Sequence, residues 1–193
     1  AAGSRSLEKL LAWRLDLAHV DPLTTLTAIS SGSDRFPAGI PVFLRAVSGH
    51  RDTGLTACPG DALYARLGEI AAETQALGLP KLYEPRLTGA LGGLVRFRGR
   101  LSQALPWTVT IADAAGAPIA SGTGSAGVID WTWDSTGLAL AGVRWRISAG
   151  TTVTAASGTL GSLGADAGGG IGSGALAITG AAADPETISP NGY

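Results

Sequence analysis

The chain has 193 residues, with 14 lysines and arginines against 15 aspartates and glutamates, so its formal net charge is −1. This balance provides no positive field and gives no reason to expect nucleic-acid binding. A single cysteine excludes an internal disulfide, and no apolar run is long enough to predict a membrane span.

The first predicted element is a helix that starts at Ser4 or Ser6 and runs to about His19. Its apolar residues recur at helical spacing: Leu7, Leu10, Leu11, Leu15 and Ala18. Asp21-Pro22 ends this helix. Two short strands are predicted next, over residues 23–29 and 41–47, with a loop of small and turn-forming residues between them.

The second strand leads into the most informative segment of the chain, residues 48–64. It places His50 and the single cysteine, Cys58, around one short loop. Imidazole nitrogen and thiolate sulfur both suit zinc, and a catalytic zinc needs three protein ligands with one open position. A helix from Pro59 to about Leu77 is predicted to follow, which would put Cys58 at a helix N-terminus and favour its thiolate.

The string GHRDTGLTACPGDALYARL, residues 49–67, resembles the C-terminal zinc motif of the type-2 N-acetylmuramoyl-L-alanine amidase and peptidoglycan recognition protein family. The segment LLAWRLDLAHVDP resembles a helix that precedes this motif in bacterial members. The resemblance implies an α/β zinc amidase domain with a mixed sheet and helices, in which His50 and Cys58 bind Zn²⁺. It also implies that Thr56 helps to hold the reacting carbonyl oxygen. The third ligand, a histidine, and a tyrosine near the substrate are expected upstream of Ala1. The absence of methionine and the alanine start suggest a processed product or a fragment.

From about Tyr83, apolar and polar residues alternate, which predicts a half-buried antiparallel sheet of about six strands. Asp113-Ala-Ala-Gly116 is predicted as a hairpin turn. The order of strand, turn and Trp-Asp motifs resembles FlgD-type Ig-like modules and implies an all-β Ig-like sandwich. We therefore expect an amidase-like part over residues 1–80 and the sandwich over 84–161. Residues 162–193 are expected to form a Gly/Ala-rich linker and the start of a further β-module.

Several residues have a structural interpretation that competes with a functional one. His19, at a helix end, is expected to be structural, and Arg51 with Asp52 to form an ion pair that fixes the histidine loop. Three tryptophans could form a sugar-binding platform, but core packing is favoured; they are Trp131, Trp133 and Trp145. Three alternating arginines are expected to form a solvated strand face rather than a contact for anionic polymer; they are Arg96, Arg98 and Arg100.

Three functions stay open at this point. The first is zinc-dependent hydrolysis of the N-acetylmuramoyl-L-alanine bond of peptidoglycan, with little activity expected from this chain alone. The second is a module that binds peptidoglycan without cleaving it, and the third an adhesin-like Ig array with a decayed amidase remnant. Each of them predicts an extracellular or cell-wall protein, and we expect a monomer.

Overall fold

A computed structural model describes residues 2–138 and 142–160, and the chain divides into two compact units, residues 1–79 and 80–193. The first unit contains helices and one hairpin: α1 Ala2–Leu17, β1 Thr25–Ile29, β2 Pro41–Arg45, a 3₁₀ helix His50–Asp52, α2 Asp61–Tyr64 and α3 Leu67–Ala76. The described residues of the second unit form seven strands: β3 Leu82–Gly89, β4 Leu94–Leu101, β5 Trp107–Ala112, β6 Pro118–Gly124, β7 Val128–Asp134, β8 Val143–Ala149 and β9 Ala156–Leu160.

Helix α1 ends in a Schellman motif that accounts for the position of His19. The amide of His19 donates to the Asp16 carbonyl at 3.0 Å, and the amide of Val20 donates to the Leu15 carbonyl at 2.9 Å. His19 has φ 54 and is 3% exposed. A left-handed residue is what this motif requires after the last helical turn, so His19 terminates the helix.

Helices α1 and α3 pack against each other around a small core. Its buried members are Val47, Leu67, Ile70 and Ala71, with Leu7, Leu11, Leu15 and Tyr64 partly buried beside them. Three residues of the predicted face of α1, Leu7, Leu11 and Leu15, pack on this core, whereas Leu10 and Ala18 are exposed. Gly60 has φ 88, so the second helix begins at Asp61 rather than at Pro59, and residues 65–66 separate α2 from α3.

The fold class expected from the sequence is wrong, because the described residues do not form the α/β zinc amidase domain with a mixed sheet that was expected before the Ig-like sandwich. Every strand pairing in the described chain is antiparallel, and the three sheets contain two, three and four strands. Among the described residues, the two strands of the first unit pair only with each other, from Thr25 with Arg45 to Ile29 with Pro41. The described chain is therefore mostly β, with few helices and no mixed sheet.

The second unit is a sandwich of two antiparallel sheets. The strand order is β3-β4-β7 in one sheet and β6-β5-β8-β9 in the other. Inward residues of both sheets form one core, and alternate positions are buried along β4, β5 and β8. Fully buried members are Leu82, Val95, Phe97, Val109, Ile111, Ile129, Val143 and Ile147.

The tryptophans of this unit belong to that core. Trp133 is 6% exposed and Trp145 5%, while Trp131 is partly buried and packs on Phe97 with ring centroids 5.6 Å apart. The preference for core packing over a sugar-binding platform is confirmed. The Asp113 turn is also confirmed: the Asp113 amide donates to the Ala117 carbonyl at 2.9 Å, and Gly116 has φ 92.

Strand β3 was not predicted, because its segment is rich in glycine and proline. Pro85 is tolerated for two reasons: β3 is an edge strand, and a bulge interrupts its pairing with β4 between Tyr83 and Arg86. The six alternating segments predicted as strands correspond to β4–β9. The predicted linker and further module over 162–193 lie outside the described residues.

Candidate functional site

The predicted metal ligand His50 opens the 3₁₀ helix that follows β2. Its carbonyl accepts hydrogen bonds from the amides of Thr53, at 3.0 Å, and Gly54, at 2.9 Å, which closes the chain into a tight turn. A Cβ atom on Gly54 would lie 3.1 Å from His50 Nε2 and 3.3 Å from Asp34 Oδ1. The exposed imidazole therefore lies directly over the Gly54 backbone, beside the Asp34 carboxylate.

Asp52 holds this turn together from its other side. Its Oδ2 accepts a hydrogen bond from the Gly49 amide at 2.8 Å, and its Oδ1 accepts one from the Tyr64 hydroxyl at 2.5 Å. Arg45 approaches Oδ2 at 3.7 Å. Burial alone would raise the pKa of Asp52, but the bonds from Tyr64 and Gly49 and the charge of Arg45 lower its pKa below the usual value on balance. The ionised carboxylate thus ties the histidine turn to α2.

Cys58 is exposed and forms no disulfide. Its carbonyl accepts a hydrogen bond from the Arg51 amide at 3.0 Å, so the backbones next to His50 and at Cys58 lie side by side. The Cys58 amide donates to Thr56 Oγ1 at 3.2 Å. That bond uses the Thr56 hydroxyl as an acceptor and leaves its proton available to a substrate oxygen.

Two local predictions about this loop are wrong. Arg51 does not pair with Asp52: its Nη1 donates to Asp61 Oδ1 at 2.8 Å, and its guanidinium lies 4.6 Å from the centre of the Tyr64 ring. Cys58 does not begin a helix, because α2 starts three residues later and has only one turn. The helix-dipole reason for a thiolate at this position is therefore lost.

Sequence reasoning missed the support that the loop of residues 30–39 gives to the site. Ser33 Oγ donates to the Thr53 carbonyl at 2.8 Å, and Arg35 Nη1 donates to the Arg51 carbonyl at 2.7 Å. Asp34 Oδ1 accepts the Leu55 amide at 3.0 Å. These contacts join residues about twenty positions apart in the sequence. The β1–β2 hairpin, whose loop is residues 30–39, brings that loop against the turn that follows His50.

The zinc that the sequence motif implies can be tested against the donors present. His50 and Cys58 supply nitrogen and sulfur from adjoining backbone segments, which suits zinc chemistry. Within residues 2–138 and 142–160, however, no group of three or more His, Cys, Asp or Glu side chains could hold a metal ion. His19, the other histidine, is buried at the end of α1. The described residues therefore do not complete a catalytic zinc site.

Comparisons with known proteins add little to this geometry. No model of a known protein family matches the chain, and no curated protein matches it. Among solved structures, it is similar to chitinase ChiW from Paenibacillus sp. str. FPU-7, a cell-surface-expressed multi-modular enzyme, with 15% identity and a TM-score of 0.33. That match covers 42% of this chain and 8% of the chitinase.

A Lactobacillus rhamnosus β-glucuronidase is similar at 18% identity and a TM-score of 0.31, over 44% of this chain and 16% of the glucuronidase. The chain therefore spans only a small part of either enzyme. Likenesses this distant say nothing about its chemistry. Separately, none of the helices in the described part of the chain has the length and apolar character needed to cross a bilayer.

Proposed function

We propose that this chain carries part of the active site of a zinc-dependent peptidoglycan amidase, which cleaves the bond between N-acetylmuramic acid and the first L-alanine of the stem peptide. His50 and Cys58 are two of the zinc ligands in this proposal. The third ligand lies outside residues 2–138 and 142–160. The choice of substrate rests on the resemblance of residues 49–67 to amidase motifs. In this proposal the protein acts outside the cell, at the wall.

One observation carries the proposal: the hydrogen bond from the Arg51 amide to the Cys58 carbonyl, which brings the cysteine back to the histidine turn. Both donor side chains are exposed there, and Cys58 is a free thiol. Asp52, Tyr64 and the 30–39 loop brace the backbone of the turn that carries His50. Such outer contacts orient metal ligands and fix their geometry.

Thr56 has the role of a hydrogen-bond donor to the carbonyl oxygen of the scissile amide. Its oxygen is already held by the Cys58 amide, so the hydroxyl is oriented without losing its proton. A donor of this kind stabilises negative charge that develops on the carbonyl oxygen. Its position two residues before Cys58 keeps it next to any ion that the cysteine binds.

The direct test is to incubate purified peptidoglycan with the native polypeptide that contains this chain, and to measure new L-alanine amino termini on released stem peptides. We expect release that a chelator stops and that Cys58→Ser abolishes. His19→Asn is the matched control, because asparagine tolerates the left-handed conformation of residue 19, and it should keep most of the activity. Equal loss in both variants would contradict the ligand assignment.

The second candidate is a module that binds peptidoglycan without cleaving it. The incomplete set of metal donors among the described residues favours this candidate. Under it, the chain would be retained on purified peptidoglycan, no L-alanine termini would appear, and Cys58→Ser would leave retention unchanged.

A further inference from the structure

The outward side of the sheet β3-β4-β7 carries four arginines, which we call the arginine face: Arg86, Arg96, Arg98 and Arg100. Three of them occupy alternate positions of the central strand β4, about 7 Å apart along it. For these three, the sequence alone favoured a solvated strand face over a contact for anionic polymer. The pairing of β3 with β4 adds a fourth arginine, Arg86, to these three. Arg86 lies on β3, which the sequence did not predict as a strand.

Arg86 lies directly opposite Arg98 in the antiparallel pair β3-β4. Directly opposed residues in such a pair have Cβ atoms about 4.5–5.5 Å apart, and like charges at this position destabilise a sheet. Both side chains are exposed, and neither forms an ion pair with another described residue. An anion placed between the two guanidinium groups would turn this repulsion into attraction.

The bulge in β3 creates this arrangement. Two residues of β3, Glu84 and Pro85, lie between Tyr83 and Arg86, whereas one residue of β4, Gly99, lies between Arg100 and Arg98. Glu84, inside the bulge, has φ 51, a left-handed conformation that is costly for a residue other than glycine. A bulge re-aims the side chains that follow it, and strained backbone is often kept where it serves a site. Here the residue that is re-aimed outward is Arg86.

On β7, Asp130 is the direct cross-strand partner of Arg98 and offsets part of its charge. Asp130 is engaged by Arg96, whose Nε donates to Oδ1 at 2.6 Å. Asp134 lies opposite Leu94 at the far end of β7, where its Oδ1 accepts the Thr136 amide at 2.9 Å. The Arg100 guanidinium lies 4.8 Å from the centre of the Tyr83 ring. This contact holds Arg100 beside the Arg86–Arg98 pair. Arg86 and Arg98 are both exposed, so these two cationic groups of the arginine face are open to solvent.

We propose that the arginine face binds an acidic polysaccharide, with Arg86 and Arg98 gripping a carboxylate between them. Guanidinium groups match carboxylates in a bidentate geometry, and a run of arginines along β4 suits a linear chain with repeated charges. Thr88 and Thr132 flank Arg96 on the neighbouring strands and offer hydroxyl groups to sugar. This inference does not depend on the proposed amidase function.

Single-stranded nucleic acid is the other linear polyanion, and the face suits it less. Proteins that bind single strands add aromatic side chains on which bases stack. Trp131 and Trp133 of the same sheet point to the core, and the Tyr83 ring is covered by Arg100. The arginine face therefore provides charge and hydroxyl groups but no open stacking surface.

The test measures binding of the full chain to polygalacturonate, with dextran as the neutral polymer and oligo(dT) as the nucleic acid. The variant Arg86→Gln/Arg98→Gln is compared with Arg144→Gln/Arg146→Gln. The second pair removes the same charge from β8, where each arginine faces only alanine, threonine or serine on its neighbours. We expect the first variant to weaken binding about tenfold or more and the second by less than about threefold.

Thermal unfolding with and without polygalacturonate gives an independent readout. The polymer should raise the Tm of the wild-type chain and of Arg144→Gln/Arg146→Gln, because a ligand that binds only the folded state stabilises it. It should not raise the Tm of Arg86→Gln/Arg98→Gln. Without polymer, the Tm of that variant should stay close to that of the wild type, because the substitutions remove both the repulsion between Arg86 and Arg98 and the attraction between Arg98 and Asp130. Equal weakening by both double variants, or tighter binding of oligo(dT) than of polygalacturonate, would overturn the proposal.

Discussion

At the scale of single residues, the hydrogen bond from the Tyr64 hydroxyl to Asp52 ties the histidine turn to α2. It accounts for the lowered pKa of Asp52 together with the Gly49 amide, and it raises the pKa of Tyr64 in return. A carboxylate with a lowered pKa in the folded state contributes stability above its unfolded pKa, about 3.9, and loses it as the pH falls through the folded value. The turn is thus stable at neutral pH and loosens in acid.

The variant Tyr64→Phe should raise the pKa of Asp52, because it removes a bond that favours the ionised form. Carboxyl chemical shifts followed by NMR across pH 2–6 would measure this change. Arg66→Gln is a suitable control, since Arg66 pairs with Glu69 rather than with Asp52. An unchanged Asp52 pKa in Tyr64→Phe would show that the Gly49 amide and Arg45 hold the carboxylate alone.

Thr56 gives a second residue-scale prediction, on turnover rather than stability. In the active polypeptide, Thr56→Ala should leave zinc in place and lower the rate by about tenfold to a hundredfold, as expected for one oxyanion donor. Metal content and turnover must be measured on the same samples. Loss of zinc along with activity would mean that Thr56 shapes the Cys58 segment instead of contacting substrate.

At the scale of elements, the sandwich depends on glycines that lie against tryptophans. A Cβ atom on Gly122 would come within 2.4 Å of the Trp131 ring, and one on Gly158 within 2.9 Å of the Trp145 ring. Gly158 is also the direct cross-strand partner of Trp145. These rings occupy the space that a side chain on the glycine would need. The match of each tryptophan with a glycine therefore helps to set the strand register.

We expect Gly122→Ala and Gly158→Ala each to destabilise the sandwich by about 1–3 kcal/mol, because the added methyl group overpacks a fixed ring. Gly127→Ala is the control: its Cβ would meet no atom closer than 3.8 Å, and it should change stability little. Chemical denaturation of the three variants would give the free energies of unfolding. Similar stability for all of them would mean that the tryptophans move aside freely.

The same elements show what the sequence could predict. Strands such as β4, β5 and β8 could be predicted because each buries one face. A half-buried strand shows a period-two pattern in its sequence whatever the details of its packing. Strand β3 was missed because Pro85, Gly89 and a bulge break its alternation. The α/β class was wrong because it came from resemblance of one motif, whereas strand pairing depends on partners that a local motif does not encode. His50 and Cys58 were predicted as neighbours, but the bracing by residues 33–35 depends on contacts remote in sequence.

At the scale of the whole molecule, the sandwich contains its own core and its own sheets. Leu82 is fully buried in that core, so an isolated unit must include all of β3. A fragment of residues 80–160 should therefore be soluble, β-rich and cooperative in unfolding, with no change in Tm on addition of zinc. Circular dichroism and calorimetry would measure this. A disordered fragment would show that the two units fold only together.

The central claim is that His50 and Cys58 act as a pair of zinc donors without a complete site of their own. Calorimetric titration of residues 1–193 with zinc tests it most directly, on the wild type, His50→Ala, Cys58→Ser and His19→Asn. We predict one weak site, well short of the about 10–16 kcal/mol of a complete structural zinc site. It should be present in the wild type and His19→Asn and lost in the other two variants. Tight stoichiometric zinc in the wild type, or zinc binding that survives Cys58→Ser unchanged, would contradict the account.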